Sequence, residues 1–401
     1  MSGAESAPPG GRPLDAWLGE HSEGLRAIRR HLHAHPELSG EEHATTEFIA
    51  ERLMLAGLEP RRLASGTGLV CDLTPDRTDG PLLALRADID ALGMDDEKDV
   101  PYRSQVPGVS HACGHDVHTA VLLGVALFLA HHVELIPGRL RCIFQPAEER
   151  VPGGALDVIA DGALDGVAGM LGLHCDPKLD VGRVGLRAGA ITSASDMAEI
   201  LLTGPGGHTA RPDETVDMIT VAAELVAELP GRVRDLIGSD AVRVVFGAIH
   251  GGDAANVIPA TCRLRASIRT PDDEIWGRLG PTVDKAVAEI LDGTGCAFDV
   301  DYTSGVPPVV NDAGVIEIVR TASESELGPG SVAEAVQSWG GDDYAWFGRR
   351  FPAAYVRLGV HDPTSPGPRL DLHAGRFDVD ERAIAVGVRL LVAASAAYFA
   401  S

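Results

Sequence analysis

The chain has 401 residues, enough for two or three domains at roughly 150 residues each, and 45% of them are hydrophobic, so a sizeable core is within reach. Lys and Arg total 34 against 58 Asp and Glu, a formal charge of −24. That charge repels phosphate backbones and anionic lipid, so neither nucleic acid nor a membrane surface is an expected partner.

The six cysteines, at 71, 113, 142, 175, 262 and 296, include no C-x-x-C pair and are too scattered for a disulfide framework. Residues 1–12 carry no charged segment leading into an apolar run, so they read as a flexible tail, and a reducing cytoplasm is the expected location. The longest uninterrupted apolar run, Ala120 to Ala130, has 11 residues, too short to span a bilayer.

In chain order, apolar positions Trp17, Leu18, Leu25, Ile28 and Leu32 predict a helix from Leu14 to His33, broken at His35-Pro36. A second helix, Glu41 to Ala56, ends at Gly57. Gly68–Leu73 and Leu82–Leu85 read as strands, and continued alternation would set Asp88 and Asp90 on one face. A helix from Val117 to His132, a strand Arg139–Gln145 stopped by Pro146, and a strand Val167–Leu173 ending at His174 follow. Strands alternating with helices predict a layered α/β domain with a mixed, largely parallel sheet. Ligands in such sheets bind beyond the carboxyl ends of the strands, where Asp90, Glu148, Glu149 and His174 fall.

Small residues and glycines around Gly185 to Ser195 suggest a hinge. Beyond it the order changes to strand Asp196–Thr203, helix Thr215–Leu229, strands Val242–His250 and Thr261–Arg269, helix Asp272–Leu291 and strand Cys296–Tyr302. This β-α-β-β-α-β order is that of an inserted ferredoxin-like lid. After Pro307-Pro308 the first domain resumes, passes His373 and closes with a helix from about Val379 to Phe399. The expected division is therefore 13–190 with 305–401 as a metal-binding catalytic domain, and 191–304 as the inserted lid.

The chemistry concentrates in His111-Ala112-Cys113-Gly114-His115-Asp116-Val117-His118. An extended strand end could aim Cys113 and His115 to one side, with Gly114 freeing the backbone between them. Gln145-Pro146-Ala147-Glu148-Glu149 adds two carboxylates that serve one site only if Pro146 ends the pleat. Cys113, His115, Glu149, His174 and His373 together offer more donors than one tetrahedral ion needs, so a pair of divalent cations fits better. Glu148 is the candidate general base. His111, Asp116 and His118 rank as supporting residues.

Seven motifs in order carry a resemblance. They are His31, His33 and His35-Pro36-Glu37-Leu38; Leu85-Arg86-Ala87-Asp88-Ile89-Asp90-Ala91-Leu92; His111-Ala112-Cys113-Gly114-His115-Asp116; Phe144-Gln145-Pro146-Ala147-Glu148-Glu149; Gly206-Gly207-His208; Asn256-Val257-Ile258-Pro259; and Leu372-His373. From about Leu25 to Glu381 the chain resembles the metal-dependent amidohydrolases that include hippurate hydrolases, plant auxin-conjugate hydrolases and bacterial N-acyl-amino-acid aminoacylases. The resemblance implies a binuclear centre of zinc or manganese, or else cobalt or nickel, held by Cys113, His115, Glu149, His174 and His373 with Glu148 as base. It implies Asp90 behind the metals, His208 steadying the oxyanion, and Asn256 with Arg269 gripping the substrate carboxylate. Arg269 suits that task, because a planar guanidinium binds a carboxylate through two hydrogen bonds. It also implies a homodimer or higher homo-oligomer assembled through the lid.

The chain departs from the family pattern at Gly93, where proline is usual, and at Gly341-Asp342-Asp343-Tyr344, where Ser-Glu-Asp-Phe is usual. The expected reaction is hydrolysis of the amide bond of small N-acyl amino acids. A dipeptidase or carboxypeptidase on the same scaffold is one alternative, and a non-catalytic metal- or ligand-binding homologue is another. Dinucleotide chemistry is remote, since no G-x-G-x-x-G opens a helix after the first strands.

Overall fold

The computed structural model describes residues 11–74, 76–365 and 367–401. Of the expected tail, residues 1–10 lie outside the described residues, whereas Gly11 and Arg12 belong to the first helix, Gly11–Ala34. The described chain divides into two compact units. The larger holds the chain up to Ile191 with Val310–Val336 and Asp343–Ser401; the smaller holds Thr192–Val309 and Gln337–Asp342.

The larger unit is a layered α/β structure around an eight-stranded sheet of the described residues. Its centre is parallel: Leu82–Asp88 lies between Arg139–Gln145 and Val167–Asp180, which in turn pairs with Ala353–His361. Shorter antiparallel neighbours, such as Leu69–Asp72 on Arg139–Gln145, widen it. All seven residues of Leu82–Asp88 are buried, as both faces of a parallel sheet demand. Helices Gly11–Ala34, His115–His131 and Arg382–Ala400 pack together in the layer that covers it.

Arg382–Ala400 is long and apolar enough to cross a membrane, a length the 11-residue run did not suggest. It is instead a core helix: 56% of its most apolar window is buried, and Ile384, Val388, Leu391 and Val392 join the same core cluster as Val121, Leu122 and Phe128.

The smaller unit is ferredoxin-like. Ser195–Thr203, Arg243–His250, Thr261–Arg269 and Ala297–Val306 form a four-stranded antiparallel sheet, backed by helices Met218–Ile237 and Leu279–Leu291. It has its own core, built from Ile200, Leu202, Leu225, Leu229, Leu264, Ile268, Val283 and Val287 among others. A buried carboxylate, Asp196, is satisfied by Trp276 Nε1 at 3.0 Å, the Tyr302 hydroxyl at 2.5 Å and the Gly305 amide at 2.9 Å.

Several boundaries shift for visible reasons. The helix expected over Thr215–Leu229 starts at Met218, where Asp217 caps the Ile219 and Thr220 amides, and runs through Pro230 to Ile237. Interrupting a helix with proline costs about 3 kcal/mol. Val233 and Ile237 continue the buried stripe of Leu225 and Leu229, and each burial returns roughly 1.5–3 kcal/mol. The single helix expected over Asp272–Leu291 is two, Asp273–Trp276 and Leu279–Leu291, divided at Gly277-Arg278. The strand expected to end before His174 continues to Asp180, because Ala353–His361 pairs along it.

Gly124 marks a close approach within the layer of helices: a methyl group there would stand 2.7 Å from Val388 Cγ2 and 3.2 Å from Leu25 Cδ1. Gly124→Ala should therefore destabilise the protein by about 1–3 kcal/mol through overpacking, although alanine is the better helix former by roughly 1 kcal/mol. Urea unfolding checks this; an unchanged or raised midpoint would show that the helices separate at little cost.

Candidate metal centre

The larger unit gathers the donors around Cys113. His174 Nε2 and His373 Nε2 each lie 3.4 Å from Cys113 Sγ. Glu149 Oε1 lies 3.5 Å from His373 Nε2 and 3.9 Å from His115 Nε2. Two groups share the thiol, Cys113 with His115 and His174, and Cys113 with Glu149 and His373; within each, the ligand atoms lie within 4.8 Å of one another. Glu148 Oε2 stands 4.0 Å from His115 Nε2, so both adjacent carboxylates face one imidazole.

The backbone that achieves this is not the expected extended strand end. Cys113 lies in a loop, Gly114 takes the left-handed conformation (φ 88°), and His115 opens the helix His115–His131. A Cβ on Gly114 would sit 2.9 Å from Cys175 Sγ, so both space and φ require glycine. The strand before the paired glutamates does end at Gln145, and Ala147 then adopts φ 55°. His373 has φ 61°. These two are the non-glycine residues with positive φ among the described residues, and both border the cluster. Such strain persists only where surroundings enforce it: the Ala147 amide donates to the buried Glu42 carboxylate at 2.8 Å, and the His373 amide donates to the Ala112 carbonyl at 2.9 Å.

Hydrogen bonds behind the rings fix which nitrogen faces the cluster. His115 Nδ1 donates to the Asp90 carbonyl at 3.0 Å and lies 3.2 Å from Asp90 Oδ1, which turns Nε2 toward the cluster. His174 Nδ1 donates to the Cys175 carbonyl at 2.8 Å, with the same result. His118 is not in the same position. Its Nε2 accepts the Cys175 amide at 2.8 Å, so Nδ1 carries the proton to Asp88 Oδ1 at 2.6 Å. Asp88 is held in turn by Arg86 Nη1 at 2.6 Å. Asp116 is engaged by Arg29 Nε and His33 Nδ1, each at 2.7 Å. His111 is buried, and burial pushes its pKa down to about 3, so the ring is neutral.

The donor set fits cations. His115 Nε2 and Glu149 Oε1 are buried without a hydrogen-bond partner among the described residues, a cost that a bound cation would remove. Burial, together with Glu149 and Glu148, pushes the Cys113 thiol well above its usual range. Burial opposes a charge on His115, yet Asp88, Asp90 and Glu149 raise it to about 10. The pocket therefore concentrates negative potential on atoms that metals prefer.

His208, Asn256 and Arg269 belong to the smaller unit. Gly207–His208 pairs with Val257–Ile258, which brings His208 opposite Val257, next to Asn256. Arg269 ends the strand Thr261–Arg269; its Nε donates to Ser267 Oγ at 3.1 Å and its Nη1 to the Trp339 carbonyl at 2.8 Å.

Sequence reasoning did not assign several residues that hold the cluster. Ser39 Oγ donates to Asp90 Oδ2 at 2.7 Å, Arg86 Nη1 donates to Asp88 Oδ2, and Glu42 receives the Ala147 amide. Ser39 and Glu42 flank the His-Pro-Glu-Leu motif, which was the one available signal. Nothing in the sequence signals the positive φ of Ala147 or His373.

An α/β unit carrying converged thiol, imidazole and carboxylate donors, with a ferredoxin-like unit inserted in its sequence, is the architecture of a two-domain hydrolase. The model for peptidase family M20/M25/M40 matches residues 84–397, and the chain belongs to that family. A Rhodococcus jostii protein bearing a glutamate–cysteine ligase name is 46% identical over 366 residues; the match covers 91% of this chain, which spans only 45% of that protein's length. The N-acetyl-L-cysteine deacetylase of Bacillus subtilis is 37% identical over 362 residues, covering 90% of this chain and 84% of the relative. Among solved structures, a Bacillus subtilis protein described as a dinuclear metal binding peptidase of the M20 family superposes with a TM-score of 0.84 at 29% identity, covering 96% of this chain and 99% of the other.

The buried carboxylates make acid sensitivity predictable. Burial opposes ionisation of Asp116, but Arg29 and His33 hold its pKa well below the usual carboxylate range. A depressed pKa contributes stability that is present above the unfolded value of about 4 and lost as pH falls. Asp116→Asn should cost about 1–3 kcal/mol at neutral pH, because a neutral amide answers the buried Arg29 and His33 donors less well, while Asp378 and Glu381 still pair Arg29, and should flatten the loss of stability on acidification. Urea unfolding from about pH 3 to pH 7 tests this; an equally steep acid limb in the variant would sink it.

Proposed function

We propose that this protein is a binuclear metal-dependent amidohydrolase that cleaves the amide bond of N-acyl amino acids, releasing a carboxylic acid and an amino acid. The observation that carries this reading is the pair of donor groups sharing Cys113. On it, Cys113, His115, Glu149, His174 and His373 would hold the cations. When bound, they would supply Lewis acidity for the scissile carbonyl and a lowered pKa for water.

The chain's own residues divide the remaining work. Glu148 accepts the proton of the attacking water on its carboxylate and returns it to the leaving amide nitrogen. Asp90 keeps the His115 ring in the tautomer that presents Nε2. His208 Nδ1 accepts the Ala210 amide at 3.1 Å, so the neutral ring carries its proton on Nε2, ready to donate to a developing oxyanion. Asn256 and Arg269 bind the substrate carboxylate. Burial lowers the Arg269 pKa with no acid opposing it, a guanidinium awaiting an anion.

The deacetylase relative supports the acyl-amino-acid reading over a dipeptidase, since its name specifies an N-acetylated substrate. We also take the smaller unit to be a lid and the contact through which the chain self-associates.

Glu148→Gln should bind both metals and lose turnover by roughly 100- to 10,000-fold, the usual worth of a positioned base. Metal analysis beside amine release from acetyl-, benzoyl- and aminoacyl-capped amino acids tests it. Undiminished turnover removes Glu148 as base, and a strict need for a free N-terminal amine favours the dipeptidase. Chelation should abolish turnover and lower the melting temperature together, because cations that bind only the folded chain stabilise it.

A further inference from the structure

On the outer face of the smaller unit's sheet, four arginines fall into two kinds. Arg263 and Arg265 are neutralised by Glu199, at 2.8 and 2.6 Å. Arg243 and Arg269 have no acidic partner among the described residues. They are register partners on adjacent antiparallel strands, Arg243 opposite Arg269. Val244 and Ile268 beside them are buried in the core on the helix side, so both arginines project from the other face.

Like charges directly opposite each other destabilise a sheet. In a chain with 58 acidic residues, leaving these two uncompensated calls for an anion from outside. Trp339 fixes both. The Arg243 guanidinium lies over the Trp339 ring, 3.7 Å from its centroid, and Arg269 Nη1 holds the Trp339 carbonyl at 2.8 Å. A guanidinium stacked flat on an aromatic ring keeps its N–H donors in plane and available to a carboxylate. Register partners stand about 5 Å apart at Cα, which suits two carboxylates of one small molecule.

We infer that Arg243 and Arg269, braced by Trp339, form a receptor for two carboxylates, which makes the substrate an N-acyl amino acid with an acidic side chain, of the aspartyl or glutamyl type. This rests on the reading of Arg269 as the carboxylate grip and adds Arg243 as the arm that reads the side chain. A neutral amino acid leaves one of the two arginines uncompensated; a dicarboxylate satisfies both.

The test compares glutamate with glutamine, its neutral isostere, by titration calorimetry on the metal-loaded full chain, and N-acetylglutamate with N-acetylglutamine by kcat/KM. Glutamate should bind at least tenfold tighter, the kcat/KM ratio should show the same preference, and in Arg243→Gln both ratios should fall to near one. Equal binding of the two amino acids by the parent, or an undiminished preference in Arg243→Gln, overturns the inference. Failure of the amidohydrolase reading looks different: neither acetyl compound is cleaved, while the calorimetric preference and its dependence on Arg243 persist.

Discussion

One carboxylate ties the donor cluster together. Asp90, fully buried, receives the Ser39 hydroxyl and the Glu149 amide on one oxygen and faces His115 Nδ1 with the other. The segment after the first helix, the loop bearing the paired glutamates and the helix opened by His115 thus meet on a single side chain. Such a charge is tolerable inside a protein only when each of its oxygens is engaged. Ser39, His115 and the Glu149 backbone meet that condition, and in meeting it they are held in register with one another.

Asp88, two residues earlier, works on the opposite side of the same imidazole. Arg86 Nη1 and His118 Nδ1 engage it, Arg86 Nη2 continues to Asp343 at 2.8 Å, and Gln145 Nε2 reaches the same Asp343 at 2.6 Å. In a chain that carries 58 acidic and 34 basic residues, the fully buried Arg29 and Arg86 are spent on the acids nearest the donor set. The cluster itself keeps a surplus of negative groups, a potential that favours cations.

Much of this was legible beforehand, because the local signals were strong. Alternation and turn residues located the parallel strands, and Arg139–Gln145 and Thr261–Arg269 match their expected limits. The β-α-β-β-α-β order of the insertion was readable because each element carries its own apolar period. Two misreadings share one cause, tertiary burial overriding a local breaker or extending a local signal: Pro230 inside a helix, and a strand prolonged past His174 by a partner about 180 residues away. The left-handed Ala147 and His373 had no local signal at all. Their conformations are imposed by Glu42 and by the Ala112 carbonyl, contacts that exist only once the chain has folded.

The way the smaller unit interrupts the larger has a consequence during synthesis. Its sheet and helices are contiguous, so all of them have left the ribosome once residue 309 has emerged. The larger unit must still wait for Ala353–His361 to line Val167–Asp180, and for His373 beyond it. A nascent chain at that stage carries Cys113, His115, Glu149 and His174 beside an unfinished sheet, with Gln337–Asp342 of the smaller unit still to come. The donor set proposed for a pair of cations is therefore complete only once His373 has followed.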